Sequence, residues 1–125
     1  MRIDAHQHFW QLARGDYGWL RADAPHLAPL VRDFLPADLA PLLQAHAVTR
    51  TVLVQAAPSV AETDFMLALA AAHAVVGGGV GWVDLADAHA ASQLDRLAED
   101  GRLKGVRPML QDLAAAHRHA ASSMR

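Results

Sequence analysis

The stretch Thr51-Val52-Leu53-Val54-Gln55 is a β-branched run whose apolar side chains fall on both faces. Successive side chains of a strand point to opposite faces, so a strand with one wet face alternates, whereas a run apolar on both sides belongs to a parallel strand covered by helices. The flanks agree. Upstream, Pro36 suits the first turn of a helix, and Leu39, Leu42, Leu43 and Ala47 follow at helical spacing toward Thr49. Downstream, Pro58 and Ser59 turn into a second helix, Glu62 to Ala74, with Phe65, Leu69 and Ala72 on its buried stripe. A third strand, Gly79 to Asp84, precedes a third helix near Ala88 to Glu99, buried through Leu94, Leu97 and Ala98 and closed by Asp100-Gly101. A fourth strand, Leu103 to Arg107, leads past Pro108 to a helix expected from Gln111 onward. Strands alternating with helices at this spacing predict an α/β fold with a parallel sheet, either doubly wound or barrel-like.

The first strand of that series lies almost at the N-terminus, in Arg2-Ile3-Asp4-Ala5-His6-Gln7-His8-Phe9-Trp10. Strict alternation puts Asp4, His6 and His8 on one face and Ile3, Ala5 and Gln7 on the other. Two imidazoles then converge at a strand end. Imidazole is the commonest protein metal ligand and carries protons near neutral pH, so the pair marks a candidate active site; the plainer reading is two hydrogen-bonded structural histidines. Asp4 suits the orientation of one ring through its second nitrogen, or equally a structural hydrogen bond.

Composition excludes several classes of function. The chain has 125 residues, 53% of them hydrophobic and 19% charged, with a formal net charge of −2. Its 11 basic residues are scattered, so neither a nucleic-acid patch nor a polybasic membrane segment is drawn. Without cysteine there is no disulfide framework and no thiolate metal site. The N-terminus lacks the basic start and apolar stretch of a secretory signal, and the expected location is cytoplasmic. Phe65 to Val83 holds no charged residue and is about as long as a membrane span. His73 at its middle, the break at Gly77-Gly78-Gly79 and its Ala- and Gly-rich composition favour a helix followed by a buried strand. That glycine run lacks the strand-turn-helix context of a phosphate loop.

Between the first strand and the first helix, Gln11 to Leu35 is punctuated by Gly15, Gly18, Pro25 and Pro29 and reads as a long loop. Tyr17 and Trp19 favour an ordered flap over the histidines. Phe9, Trp10, Tyr17 and Trp19 suit an apolar wall against a ring substrate, or simply the pinning of the loop to the sheet. The pair His117 and His119 repeats the His-x-His spacing, but on a helix the two rings diverge by about 200°.

With its first strand ending in Asp4-Ala5-His6-Gln7-His8 and the next three in Val54-Gln55, Gly81-Trp82-Val83-Asp84 and Gly105-Val106-Arg107-Pro108, the chain resembles the amidohydrolase superfamily. Within it, the likeness is to the amidohydrolase-related lactone hydrolases, the group of L-fuconolactonase and 2-pyrone-4,6-dicarboxylate lactonase. That resemblance implies a (β/α)8 TIM barrel that opens a lactone or related cyclic ester by water attack. It also implies that His6 and His8 are the catalytic pair, holding a divalent metal (Zn or Mn) or polarising the carbonyl directly. A closed barrel takes about 250 residues. The expectation is therefore an incomplete TIM barrel of about four parallel strands. Residues 1–113 form its N-terminal half and 114–125 a low-complexity, frayed tail, with the reading frame truncated or shifted near Asp112. The later histidines and final aspartate with which the family completes its site have no counterpart here.

Gln55, Trp82, Asp84 and Arg107 fall at the C-terminal ends of strands, where barrel active sites gather, and are the candidate substrate-binding residues. Arg107 suits a substrate carboxylate or the oxyanion of an opening lactone; the alternative is an ion pair with Asp84. Gln55 suits substrate hydroxyls, or the satisfaction of loop backbone. Trp82 reads more as packing than recognition. The expected partner is a small-molecule lactone such as a sugar-acid lactone, with no nucleic acid and no membrane. A metal-dependent decarboxylase of the same superfamily also begins with paired histidines, but the Trp-Val-Asp and Val-Arg-Pro phrases favour the lactone branch. The third expectation is a non-catalytic half barrel, inactive alone and prone to self-association through its open sheet edges.

Overall fold

The computed structural model describes residues 1–112. Strands and helices alternate as β1 (Ile3–Gln7), α1 (Pro36–Ala45), β2 (Arg50–Val54), α2 (Val60–Ala72), β3 (Val76–Gly81), α3 (Ala90–Ala98) and β4 (Leu103–Val106). All strand pairs are parallel and the sheet runs β1-β2-β3-β4. A doubly wound sheet reverses its strand order at a switch point, whereas a barrel keeps chain order throughout. The order found here is that of an incomplete (β/α)8 barrel. Among the described residues no helix is long and apolar enough to cross a membrane.

The core forms where helices cover the sheet. Phe9, Leu53, Met66, Ala70 and Val76 make one cluster, and Leu67, Val83 and Leu97 make a second beneath α2 and α3. The buried side of α2 is not the Phe65, Leu69 and Ala72 stripe expected from apolar spacing. It runs through Glu62, Thr63, Met66, Leu67 and Ala70, while Phe65 and Leu69 are only half-buried and Ala72 is exposed. Two polar residues start the true stripe because each finds partners inside. The Thr63 hydroxyl donates to the Trp82 carbonyl and accepts the Trp82 N–H, both at 2.7 Å.

β3 begins at Val76, earlier than the expected Gly79, so the glycine run is the body of the strand rather than a mere helix breaker. Gly81 shows what glycine permits here. A Cβ at that position would lie 2.6 Å from the Thr63 methyl, so α2 approaches β3 more closely than any side chain allows. α1, expected to run toward Thr49, stops at Ala45. Ala47 adopts the left-handed conformation, with φ of 53°, the Val48 N–H donates to the Leu43 carbonyl at 2.9 Å and the Ala47 N–H donates to the Gln44 carbonyl at 3.2 Å. This is a Schellman ending with alanine where glycine is the usual residue.

The Gln11–Leu35 loop is ordered, as its aromatic content suggests. It contains short 3-10 turns at Leu12–Arg14 and Pro25–Leu30, and is closed at its base by paired Trp10 and Phe34 backbone hydrogen bonds of 3.0 Å. Trp10, Tyr17, Ala56 and Ala57 form a third cluster joining it to the end of β2. A 3-10 turn at Leu110–Asp112 stands where the last helix was expected to start. The expected tail, with His117 and His119, lies outside the described residues.

Candidate active site

β1 and β2 are paired at Asp4↔Thr51 and again at Gln7↔Leu53, so β1 carries one more residue than β2 between those points. The bulge contains Ala5 and His6. Bulges re-aim side chains, and this one departs from the strict alternation on which the sequence reading of the face was based. The Asp4 carboxylate accepts the His6 backbone N–H at 3.1 Å within it. Asp4 therefore serves the backbone here, the second of the two roles considered for it.

The two rings meet nonetheless, with Nε2 of His6 and Nε2 of His8 3.2 Å apart. His8 Nδ1 lies 2.9 Å from the Val54 carbonyl oxygen, which only accepts, so Nδ1 carries the proton and Nε2 keeps its lone pair for the site. Burial, opposed by the Val54 hydrogen bond, draws the His8 imidazole below its ordinary pKa and so favours the neutral ring. Two imidazole nitrogens on a tetrahedral zinc, each about 2.05 Å from it, stand about 3.3 Å apart. The observed separation and the fixed His8 tautomer fit a chelating pair. Among the described residues no third histidine, cysteine or carboxylate joins them as a ligand cluster.

A cleft of about 300 Å³ opens beside His8, lined by Trp10, Trp19, Gln55, Arg107 and Met109 among others. Three of the sequence candidates thus share one cavity: His8, Gln55 and Arg107. Arg107 Nε donates to the Gln55 side-chain oxygen at 2.7 Å and Nη2 donates to the Gln55 carbonyl at 3.2 Å. The Gln55 amide nitrogen donates to the Ala57 carbonyl at 3.3 Å. Gln55 is therefore engaged with backbone and with Arg107, and Arg107 is held by Gln55 rather than by the Asp84 partner considered for it. Burial lowers the Arg107 pKa from its ordinary value, and the group remains a cation. Trp82 and Asp84 are not among the cleft residues. Trp82 is tied through its backbone to Thr63, and the Asp84 carboxylate accepts the Ala86 N–H at 3.1 Å in an exposed turn.

Of the four aromatics considered for the wall, Trp10 and Trp19 reach the cleft and Phe9 and Tyr17 do not. Trp10 Nε1 donates to the Arg32 carbonyl at 2.8 Å and Trp19 Nε1 to the Ala56 carbonyl at 2.6 Å, which pins the loop, while both indoles line the cleft. The sequence reading missed what anchors them. Ser59 to Glu62 has the spacing of a capping box, and the Ser59 hydroxyl does accept the Glu62 N–H at 3.0 Å. The Glu62 carboxylate goes elsewhere. It is fully buried; Oε2 accepts the Ala56 N–H at 2.6 Å, and Oε1 accepts Arg14 Nη1 at 2.6 Å and the Tyr17 hydroxyl at 3.3 Å. Burial pushes the Glu62 carboxyl up against the pull of those donors. Burial, the largest single influence, works against the Arg14 charge, but the hydrogen bonds and charges of Glu62 and Tyr17 together outweigh it and the Arg14 pKa is raised.

The amidohydrolase family profile matches residues 3–123. The chain is 47% identical over 113 residues to an L-fucono-1,5-lactonase of Burkholderia ambifaria, covering 90% of this chain and 38% of that protein. It is 41% identical over 116 residues to an L-fucono-1,5-lactonase of Burkholderia multivorans, covering 91% of this chain and 37% of the relative. Two crystal structures of a B. multivorans amidohydrolase superpose on it. One, with bound HEPES, has a TM-score of 0.81 and 38% identity, and the other, with bound zinc, has 0.78 and 40%; each covers 91% of this chain. The chain spans 38% and 39% of the length of those two structures. On the sequence match and the shared fold together, the chain belongs to the amidohydrolase family.

Proposed function

We propose that this chain supplies the strand-one histidine pair and one wall of an active site that opens a lactone, with a sugar-acid lactone as the substrate class. The observation that carries the reading is the meeting of the two Nε2 atoms, 3.2 Å apart, with His8 but not His6 lining a cleft that it shares with Arg107. The names of the two Burkholderia relatives support the lactone over other carbonyl substrates. His6 and His8 are the residues that would hold a divalent metal, zinc or manganese, which when bound supplies Lewis acidity toward a carbonyl and toward water.

The chain's own groups do the rest. Val54 fixes the tautomer of His8, so that its Nε2 is available without a prior proton loss. Gln55 takes the Nε–H and one Nη2–H of Arg107, which leaves the Nη1 amine and the other Nη2–H to orient a carboxylate, a hydroxyl or the oxygen on which charge develops. Trp10, Trp19 and Met109 give an apolar surface for the ring and exclude water from one side. The described residues offer no convergent carboxylate as general base beside the histidines, so the chain alone is expected to lack turnover.

A chimera tests this. Residues 3–112 of this chain replace the matching segment of the B. ambifaria lactonase, and hydrolysis of L-fucono-1,5-lactone is followed. Turnover that is abolished by His8→Ala supports the reading; a folded chimera with no ring opening of any sugar lactone overturns it. Zinc titration of the chain by calorimetry, with His6→Ala and His8→Ala beside it, tests the metal pair separately.

A further inference from the structure

Glu62 uses its two oxygens for two different parts of the molecule. Oε2 takes the N–H of Ala56, just past the end of β2, while Oε1 takes Arg14 and Tyr17 from the flap. The Ala56 carbonyl in turn receives the indole N–H of Trp19, at 2.6 Å. Arg14 is itself fixed on several sides: it donates to Tyr17 Oη at 2.6 Å and to Asp16 at 3.2 Å, and its guanidinium lies 4.3 Å from the Phe65 ring centroid. Asp16 is tied to the α2 cap by a hydrogen bond from the Ser59 hydroxyl. Glu62, Ser59 and Ala56 are thus each hydrogen-bonded to the flap.

We propose that Glu62 is a positioning residue for the aromatic wall of the cleft, setting where Trp19 stands by clamping Arg14 and Ala56 with one carboxylate. A buried charge with no role beyond stability is readily replaced by an apolar side chain, but an apolar side chain cannot grip a strand-end amide and a loop cation at once. The Trp19 indole N–H is bonded to the residue that Glu62 holds, so its place follows that of Ala56 and of the Tyr17 segment. The consequence for substrate choice rests on the cleft being the lactone site; the positioning itself does not.

The test labels the 125-residue chain with 5-fluorotryptophan and reads its three tryptophans by fluorine NMR, with Trp19→Phe assigning the Trp19 resonance. Glu62→Gln keeps an oxygen for the Ala56 amide but removes the charge that holds Arg14. The expected result is a severalfold rise in solvent exposure of Trp19, read from its solvent-isotope shift, while Trp82 keeps its native position. Glu62→Gln also leaves the part-buried Arg14 cation to Asp16, so Arg14→Gln with Glu62→Gln is measured beside it, and that pair is expected to fold with Trp19 released. A native Trp19 resonance in folded Glu62→Gln overturns the proposal. So does collapse of all three resonances to unfolded positions in both variants, which would make Glu62 a residue of the fold alone. No lactone enters the measurement, so its outcome is independent of the proposed reaction.

Discussion

Arg107 holds Gln55 at both ends, its Nε on the side-chain oxygen at 2.7 Å and its Nη2 on the main-chain carbonyl at 3.2 Å. Gln55 is fully buried, so the pair joins the ends of β2 and β4 across the intervening β3 and keeps a cation at the cleft with, among the described residues, no acid paired to it. Gln55→Leu preserves volume and removes the charged hydrogen bond. It is expected to cost about 2 kcal/mol in urea unfolding, the range for losing a hydrogen bond to a buried charge. A variant as stable as the parent would show that the Arg107 contact contributes nothing to the fold.

Tyr17 is the one tyrosine of the chain, so its ionisation is read directly from ultraviolet absorbance. Burial, and then the Glu62 charge, raise its pKa above the ordinary value. A raised folded pKa means that the native chain keeps the phenol proton when the unfolded chain releases it. The stabilisation is whole below the unfolded value of about 10 and is lost as pH climbs through the folded one. The expected titration midpoint lies above that of free tyrosine in the native chain and returns toward it in Glu62→Gln. A native midpoint at the free value would contradict the burial of this hydroxyl against Glu62.

At the end of α1, Ala47 sits in a conformation that costs an L-residue about 1–2 kcal/mol. Ala47→Gly removes most of that strain at some cost in unfolded-state entropy, for an expected gain of about 0.5–1 kcal/mol. A higher midpoint in denaturant with an unchanged slope confirms it; a loss of stability rules out the Schellman ending.

Among the described residues β1 and β4 have no strand on their outer sides, and Ile3 on β1 is 53% exposed. Such edges pair with other chains. We expect the chain to sediment as dimers or larger species and Ile3→Lys to shift it toward monomer. A concentration-independent monomer would show that the edges are blocked.

What the sequence made legible was whatever a local pattern decides. The apolar run of β2 and the alternation around it gave the parallel sheet, and the His-x-His spacing gave two rings that do meet. The Phe65 stripe was misplaced because periodicity counts apolar residues, whereas Glu62 and Thr63 are buried through partners distant in sequence, Arg14 and Trp82. The start of β3 was placed late because glycine reads as a breaker, and only the closeness of Thr63 to Gly81 shows why it belongs in a strand. In the sequence, an ion pair with Asp84 stands open for Arg107 beside substrate binding, since both residues end strands. Which of them faces Gln55 depends on where each chain segment turns after its strand, and no local pattern encodes that.

The extra residue between Asp4 and Gln7 divides β1 into two short lengths, each keyed separately to β2. His8 takes its aim from the later length and from Val54, while His6 sits in the bulge itself with its N–H held by Asp4. A disturbance of the pairing at Ile3 and Asp4 would therefore reach His8 only across the extra residue, whereas His6 would feel it directly through Asp4.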